Sequence, residues 1–233
     1  MINSIALPKT KVTYNRTLPY LTFVKTNYGD IPVVHYYVDD DLSTIIISHA
    51  NSQDVGEFNV KKLSKQFNAN IIVYDYASYG LHGNKHASED HCYHDIEHVY
   101  NYIIHCGVSP EKIVLYGRSI GTGVASHMAQ LLCKNNIKTK LILVSPFKSV
   151  IQVMVNIPGL PFDMFRIEKM APHITCPVMI IHGCQDKVTD YQQSCELSQL
   201  FPCLDTFVTI HGCGHHELTG RQEYVEAVRS FVS

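Results

Sequence analysis

The sequence predicts an α/β fold, with a mostly parallel central sheet, helices on both faces and an N-terminal antiparallel hairpin. Three observations carry this prediction. Short continuous apolar runs rich in β-branched residues recur along the chain, as strands buried on both faces require. They alternate with segments of helical period, the pattern of crossover units in a parallel sheet. Near the middle, Gly117-Arg118-Ser119-Ile120-Gly121 joins one such run to one such helix.

Taken in order, residues 1 to about 18 show no period and read as a lead-in. Leu21-Thr22-Phe23-Val24 and the run from Ile31 to Val38 flank Asn27-Tyr28-Gly29-Asp30, two β-rich segments around turn chemistry, and so predict a hairpin. Thr44 to Ser48 predicts a buried strand and 55–67 a helix. The unit then recurs: strand Asn70 to Tyr74, helix 88–106, strand Lys112 to Tyr116, helix 120–133, strand Lys140 to Val144. After Ser145-Pro146, a stretch to about residue 175 carries Pro158, Gly159, Pro161 and Pro172 as breakers, yet is too apolar for a solvent loop. It reads as a cap-like excursion, with Val150, Ile151, Val153, Met154, Val155, Ile157, Leu160, Phe162 and Phe165 available to line a pocket. Strand Pro177 to His182, helix 190–200, strand 206–211 and helix 217–232 complete a single domain over residues 1–233.

Composition narrows the function classes. The 45% apolar fraction is ordinary for a globular protein, and a formal charge of -2 gives no reason to expect a nucleic-acid partner. Eight cysteines without a C-x-x-C pair read as free thiols of a reducing compartment. No apolar run approaches the length of a membrane span, and Met1 to Pro8 lacks the pattern of a secretory leader. The expectation is a cytoplasmic protein, peripheral at membranes only through its substrate, with no cofactor and no metal; nothing in the chain speaks to its oligomeric state. On helix 88–106, Ile96, Val99, Tyr100, Ile103 and Ile104 form a core stripe, while His91, His94, His98 and His105 gather on the opposite side. Histidines at such spacing could share a metal ion, but a solvated face is the plainer reading.

The chemistry centres on the elbow. A serine hydroxyl is a weak nucleophile until a base activates it, and G-x-S-x-G between strand and helix lifts such a serine above a sheet. By itself the pattern is weak, since about one chain in fifteen of this length would show it by chance. Its surroundings add specificity. The helix start after Ser119 aims its free N–H groups at the site, and the Ile120 N–H is the expected first oxyanion donor. The second is expected in Ser48-His49-Ala50-Asn51-Ser52, at Asn51 or else Ala50, with His49 structural. If position 50 required positive φ, Ala50 would be strained. In the chain order serine, acid, histidine, the acid is Asp186 in His182-Gly183-Cys184-Gln185-Asp186, with Asp190 and Asp205 as weaker rivals. The base is His215, freed by Gly212 and Gly214, with His216 as its rival.

With these residues in hand, the chain resembles the α/β-hydrolase fold over roughly residues 30–233, and within it the small single-domain branch that includes acyl-protein depalmitoylases. The resemblance rests on Ser48 to Asn51, Tyr74-Asp75-Tyr76-Ala77-Ser78-Tyr79-Gly80, Ile113 to Thr122, Ser145-Pro146, His182 to Asp186 and Gly212 to His215. It implies a serine hydrolase that cleaves acyl esters or thioesters through an acyl-enzyme, with Asp75 structural. Such depalmitoylases carry an acylated N-terminal cysteine cluster, whereas the first cysteine here is Cys92, so the membrane address is not implied. A lipase or carboxylesterase on small lipid esters is the neighbouring reading, and a catalytically silent binding module the one from another class.

Overall fold

The computed structural model describes residues 7–8, 11–84, 86–155 and 163–233. Residues 1–6 and 9–10 of the lead-in lie outside them, as do Ile157, Leu160 and Phe162 of the proposed pocket lining. Eight strands form one sheet among the described residues: β1 (Leu21–Val24), β2 (Ile31–Tyr36), β3 (Thr44–Ser48), β4 (Asn70–Tyr74), β5 (Ile113–Arg118), β6 (Lys140–Val144), β7 (Val178–Gly183) and β8 (Leu204–Ile210). Their spatial order is β1-β2-β4-β3-β5-β6-β7-β8. The pairs β1/β2 and β2/β4 are antiparallel and all others parallel.

Seven α-helices cover the sheet among the described residues: α1 (Val60–Phe67), α2 (Glu89–His105), α3 (Gly121–Lys134), α4 (Val150–Val155), α5 (Ile167–Met170), α6 (Tyr191–Ser198) and α7 (Gln222–Val232). Alternation along the central strands feeds two cores. On one face Ile45, Ile47, Val114, Tyr116 and Val144 pack with Phe67 of α1 and Tyr224 and Val228 of α7. On the other, Ile46, Ile72, Leu115 and Leu143 pack with Ile96 and Val99 of α2 and Val124 and Met128 of α3.

Two expected helices are shorter than their periodicity suggests. The stretch 55–67 splits into a 3-10 turn, Val55–Glu57, and α1, because the Asn59 side chain accepts the Lys62 N–H and starts a new helix. Likewise 217–232 divides into a 3-10 turn at Leu218–Gly220 and α7. The histidine stripe of α2 also differs from a fully solvated face. The Tyr28 ring lies 5.6 Å from His91 and 5.7 Å from His98, half covering both, while Tyr28 donates its hydroxyl to Asp95 (2.9 Å). Among the described residues no group of three or more His, Cys, Asp or Glu is placed to share a metal ion.

The order β4-β3-β5 matters most for function. Connections leave β3 and β5 in opposite directions along the sheet, and such a switch point opens a crevice beyond the strand ends. Ser119 directly follows β5 and His49 directly follows β3, so the elbow and the loop from His49 to Ser52 meet there. The start of α3 lies so close to the end of β3 that a methyl group on Gly121 would overlap the Ser48 carbonyl. Replacing Gly121 with Ala should therefore destabilise the fold by roughly 1–3 kcal/mol, as overpacking of a tight core does. Urea denaturation measures this, and an unchanged midpoint would contradict the close approach.

Candidate active site

Ser119 adopts a left-handed conformation, φ 51°, which for a residue with a Cβ costs about 1–3 kcal/mol and persists only where the surroundings enforce it. Three hydrogen bonds enforce it here. The Ser119 N–H donates to the Val144 carbonyl (2.9 Å), and the Ser119 carbonyl accepts from the Thr122 N–H (2.9 Å) and hydroxyl (2.5 Å). Its side chain is half-exposed, so the bend carries a reachable hydroxyl. Ile120 follows as the first residue of the helix entry, with its N–H at the positive end of α3.

Across the switch point, the backbone at Ala50 is not left-handed; Ser52 takes that conformation instead, φ 63°. The strain anticipated at Ala50 is thus absent from the loop. The Ala50 N–H donates to Gln53 Oε1 (3.2 Å), while Asn51 uses its side-chain oxygen to accept from Tyr79 (2.6 Å) and the Ser52 N–H (2.9 Å). The loop is held from beneath by buried polar groups. Burial pushes His49 down to about 4, so the ring is neutral, and its Nδ1–H donates to the Ala50 carbonyl (2.9 Å). Tyr76 donates to the His49 carbonyl (2.8 Å). Asp75 accepts from the Val55 N–H (2.8 Å) and from the Tyr14 hydroxyl, so it braces the β3 and β4 loops at a distance from the histidine loop.

Asp186 sits in the turn after β7 and is buried. Its Oδ2 accepts from His215 Nδ1 at 2.7 Å, and His215 is itself buried after β8. With Nδ1 donating to a carboxylate, a neutral His215 leaves Nε2 as a free-electron-pair base. Burial opposes the charge on Asp186, but donors outweigh it: His182, then His215 and the Thr189 N–H, hold the carboxyl well below the usual range. The rivals are otherwise employed. Asp190 caps α6 by accepting the Gln192 N–H (2.9 Å), Asp205 is exposed at the start of β8, and His216 is exposed with its ring 5.4 Å from that of His215.

Sequence reasoning passed over two contributors. Arg118, the variable residue of the elbow, donates from Nη2 to the His215 carbonyl (3.1 Å) and tethers the histidine loop to β5. Thr189 places its hydroxyl 3.0 Å from Asp186 Oδ2 and 3.3 Å from His215 Nδ1. Only contact across three strands reveals either one. A cavity of about 340 Å³ between α1 and α7 is lined by apolar Ile47, Phe58, Leu63, Tyr116 and Tyr224 and by polar Gln53, Glu57, Asn59, Lys62 and Gln66, with His49 and Arg118 at its border and Ser119, Asp186 and His215 outside its lining. It lies on the face opposite the excursion, whose Val150 and Phe165 pack in the core of the other face and whose Ile151 is buried.

Against known proteins, the model of a family described as Serine hydrolase (FSH1) matches residues 47–218. The chain belongs to this serine hydrolase family. It is 32% identical over 197 residues to α/β hydrolase domain-containing protein 17C of Xenopus tropicalis, covering 82% of this chain and 61% of that one. The chain thus spans about three fifths of the length of that relative. Among solved structures it is similar to Est1E from Butyrivibrio proteoclasticus with ferulic acid bound (TM-score 0.72, 19% identity, 90% of this chain and 97% of that one). It is also similar to an α/β serine hydrolase homologue from Coxiella burnetii (TM-score 0.70, 18% identity, 95% and 100%). The fold is that of the α/β hydrolases. Among the described residues, no helix of this serine hydrolase is long and apolar enough to cross a membrane.

Asp75 allows a test that does not depend on turnover. Burial pushes its carboxyl up to about 7 against hydrogen bonds that lower it. A folded-state value above the unfolded one means that the folded protein holds the proton longer. Its contribution to stability is therefore complete below the ordinary carboxylate range and is lost as pH rises toward 7, at no more than about 1.4 kcal/mol per pH unit. His49, lowered by burial, acts with the opposite sign over part of this range, so the comparison is between variants. Asp75→Asn should remove the downward component from the pH dependence of unfolding free energy. Parallel profiles for the two proteins would show that Asp75 titrates alike in the folded and unfolded states and that burial does not raise its carboxyl.

Proposed function

We propose that this serine hydrolase cleaves acyl esters or thioesters through an acyl-enzyme, with Ser119 as nucleophile, His215 as base and Asp186 as the acid that orients it. The 2.7 Å contact between Asp186 Oδ2 and His215 Nδ1 carries the reading, because it fixes the tautomer in which Nε2 can take the serine proton. Ser119 attacks the acyl carbon, and the backbone N–H groups of Ile120 and Asn51 receive the negative charge on the carbonyl oxygen. His215 then protonates the departing alcohol or thiol, and a water molecule activated by the same ring releases the acid. Asp186 keeps the imidazolium stable during both steps without itself accepting the proton. The resemblance to depalmitoylases makes a protein thioester one substrate class for this site, beside small lipid esters.

A fluorophosphonate probe tests the nucleophile directly. Native protein should label and Ser119→Ala should not, while Asp186→Asn should lower kcat by up to about 10⁴-fold through loss of the correct histidine tautomer. Equal labelling of native protein and Ser119→Ala would sink the assignment, and complete absence of labelling would favour the silent binding module.

The acyl chain is assigned to the cavity between α1 and α7, along its apolar wall of Ile47, Phe58, Leu63, Tyr116 and Tyr224. A volume of about 340 Å³ suits a medium acyl chain and lies within the usual range for small-ligand pockets. Rates on p-nitrophenyl esters should rise from acetate to octanoate. Leu63→Trp, which fills the cavity, should reduce octanoate turnover about tenfold or more while sparing acetate, as removal of a few buried methylenes' worth of binding predicts. A monotonic fall with chain length in the native enzyme would count against the assignment.

A further inference from the structure

The Asp186 carboxylate is more heavily bound than a triad acid needs for holding one histidine. Its Oδ1 accepts from the N–H groups of Val188 (2.8 Å) and Thr189 (2.9 Å). Its Oδ2 accepts from His215, from the Thr189 hydroxyl and from Nε2 of His182 at 3.2 Å. His182 differs from the other donors in where it comes from. The backbone donors and Thr189 belong to the same short turn as Asp186, so they would move with it. His182 stands on β7, paired on both sides in the sheet, and its side chain is fully buried.

The ring itself is fixed at every polar atom. Nε2 lies 3.1 Å from the Thr189 carbonyl, which can only accept, so Nε2 carries a proton and shares it between that carbonyl and Asp186. Nδ1 lies 2.5 Å from Ser194 Oγ on α6, and Ser194 Oγ is also 3.3 Å from the Pro146 carbonyl at the base of the excursion. The Tyr191 ring packs edge-on at 5.7 Å. A buried chain of polar contacts therefore runs from His215 through Asp186 and His182 to Ser194 and Pro146, tying the histidine loop to three elements of the sheet and its cover.

We propose that His182 is a positioning residue for the hydrolysis, one whose strand-borne Nε2–H pins Oδ2 of Asp186 toward His215. The inference rests on the reading of Ser119, Asp186 and His215 as a triad and adds a fourth side chain that touches neither substrate nor nucleophile. Without it, Asp186 would be held only by the turn that carries it. A small rotation of the carboxylate would then weaken the bond to His215 and the charge stabilisation of its imidazolium, whereas substrate binding would be unaffected.

The test compares native enzyme with His182→Phe, His182→Asn and His182→Gln on a p-nitrophenyl ester. Phe keeps the ring and removes both nitrogens. Asn carries its amide near the place of Nδ1 and cannot reach Asp186, while Gln carries it near Nε2 and can. Phe and Asn should each lower kcat roughly 10–100-fold, the usual cost of losing a supporting hydrogen bond behind a catalytic group, with KM changed by less than about twofold. Gln should recover most of the loss. The acid limb of the kcat/KM profile, which reports protonation of His215, should move to lower pH in the Phe and Asn variants and return in Gln. In an Asp186→Asn background the same changes at His182 should cost less than about twofold, since the residue acts through that carboxylate.

Phe and Asn variants with native kcat and an unmoved acid limb would overturn the inference, as would penalties that multiply fully with Asp186→Asn. Should the Phe variant fail to fold, the contrast between Asn and Gln decides the question, because both are small and polar and differ in reach. An inactive Ser119→Ala beside unaffected His182 variants would remove the inference and leave the triad reading intact. Full turnover in Ser119→Ala would remove both.

Discussion

The close approach of the start of α3 to the end of β3 governs the rest of this molecule. Gly121 lies so near the Ser48 carbonyl that no side chain fits between them, and this contact lets α3 start directly above the sheet. Ser119 is thereby forced into a left-handed bend on the edge of the crevice, with the Ile120 N–H behind it. The same bend recurs one strand along, where Ser145 takes φ 51° and its N–H donates to the Ile181 carbonyl (2.9 Å). Strand ends across the centre of the sheet are thus closed by a common backbone device, and the elbow is the instance that carries a reachable hydroxyl.

Around this frame, buried carboxylates act as tie points for loops. Asp75 joins the lead-in to the 3-10 turn at Val55–Glu57 through Tyr14 and the Val55 N–H. Asp95 joins the hairpin to the loop after β4 by accepting from Tyr28 (2.9 Å), His82 (3.0 Å) and the Ala77 N–H (2.8 Å). Asp186 gathers β7, its following turn and the histidine loop. A buried carboxylate is costly unless its oxygens are satisfied, so each of the three imposes a definite arrangement on the segments that supply its donors. They differ in consequence. Asp75 is pushed toward its neutral form by burial, whereas the donors around Asp186 keep it ionised, as the proposed role behind His215 requires.

Much of the fold was legible in the sequence because its signals are local. The continuous apolar runs of β3, β4, β5, β6 and β7 can be satisfied only between two covering layers, and the turn at Asn27 to Asp30 separates two β-rich segments without ambiguity. Helix ends were less legible. Asn59 interrupts the 55–67 stretch through a side-chain cap that competes with an otherwise acceptable helical period. Apolar residues of the excursion show what periodicity leaves open: Val150 and Phe165 have the composition of a pocket wall, yet spacing does not say whether an apolar side chain meets a substrate or a neighbouring helix, and these two pack in the core.

By itself the sequence determined the kinds of residue at the site and their order: a serine in a glycine-flanked strand-to-helix turn, an acid after a late strand and a histidine after the last one. That order follows from chain connectivity, which a sequence contains in full. Only the tertiary structure decided which of Asp186, Asp190 and Asp205 meets a histidine, which of His215 and His216 it meets, and that His182, Thr189 and Arg118 stand around them. Those choices depend on the crossing of the chain at β3 and β5 and on side chains from β5, β7 and the loop after β8 converging within hydrogen-bond distance. Spacing along the chain holds no record of that convergence, because the packing of the sheet creates it.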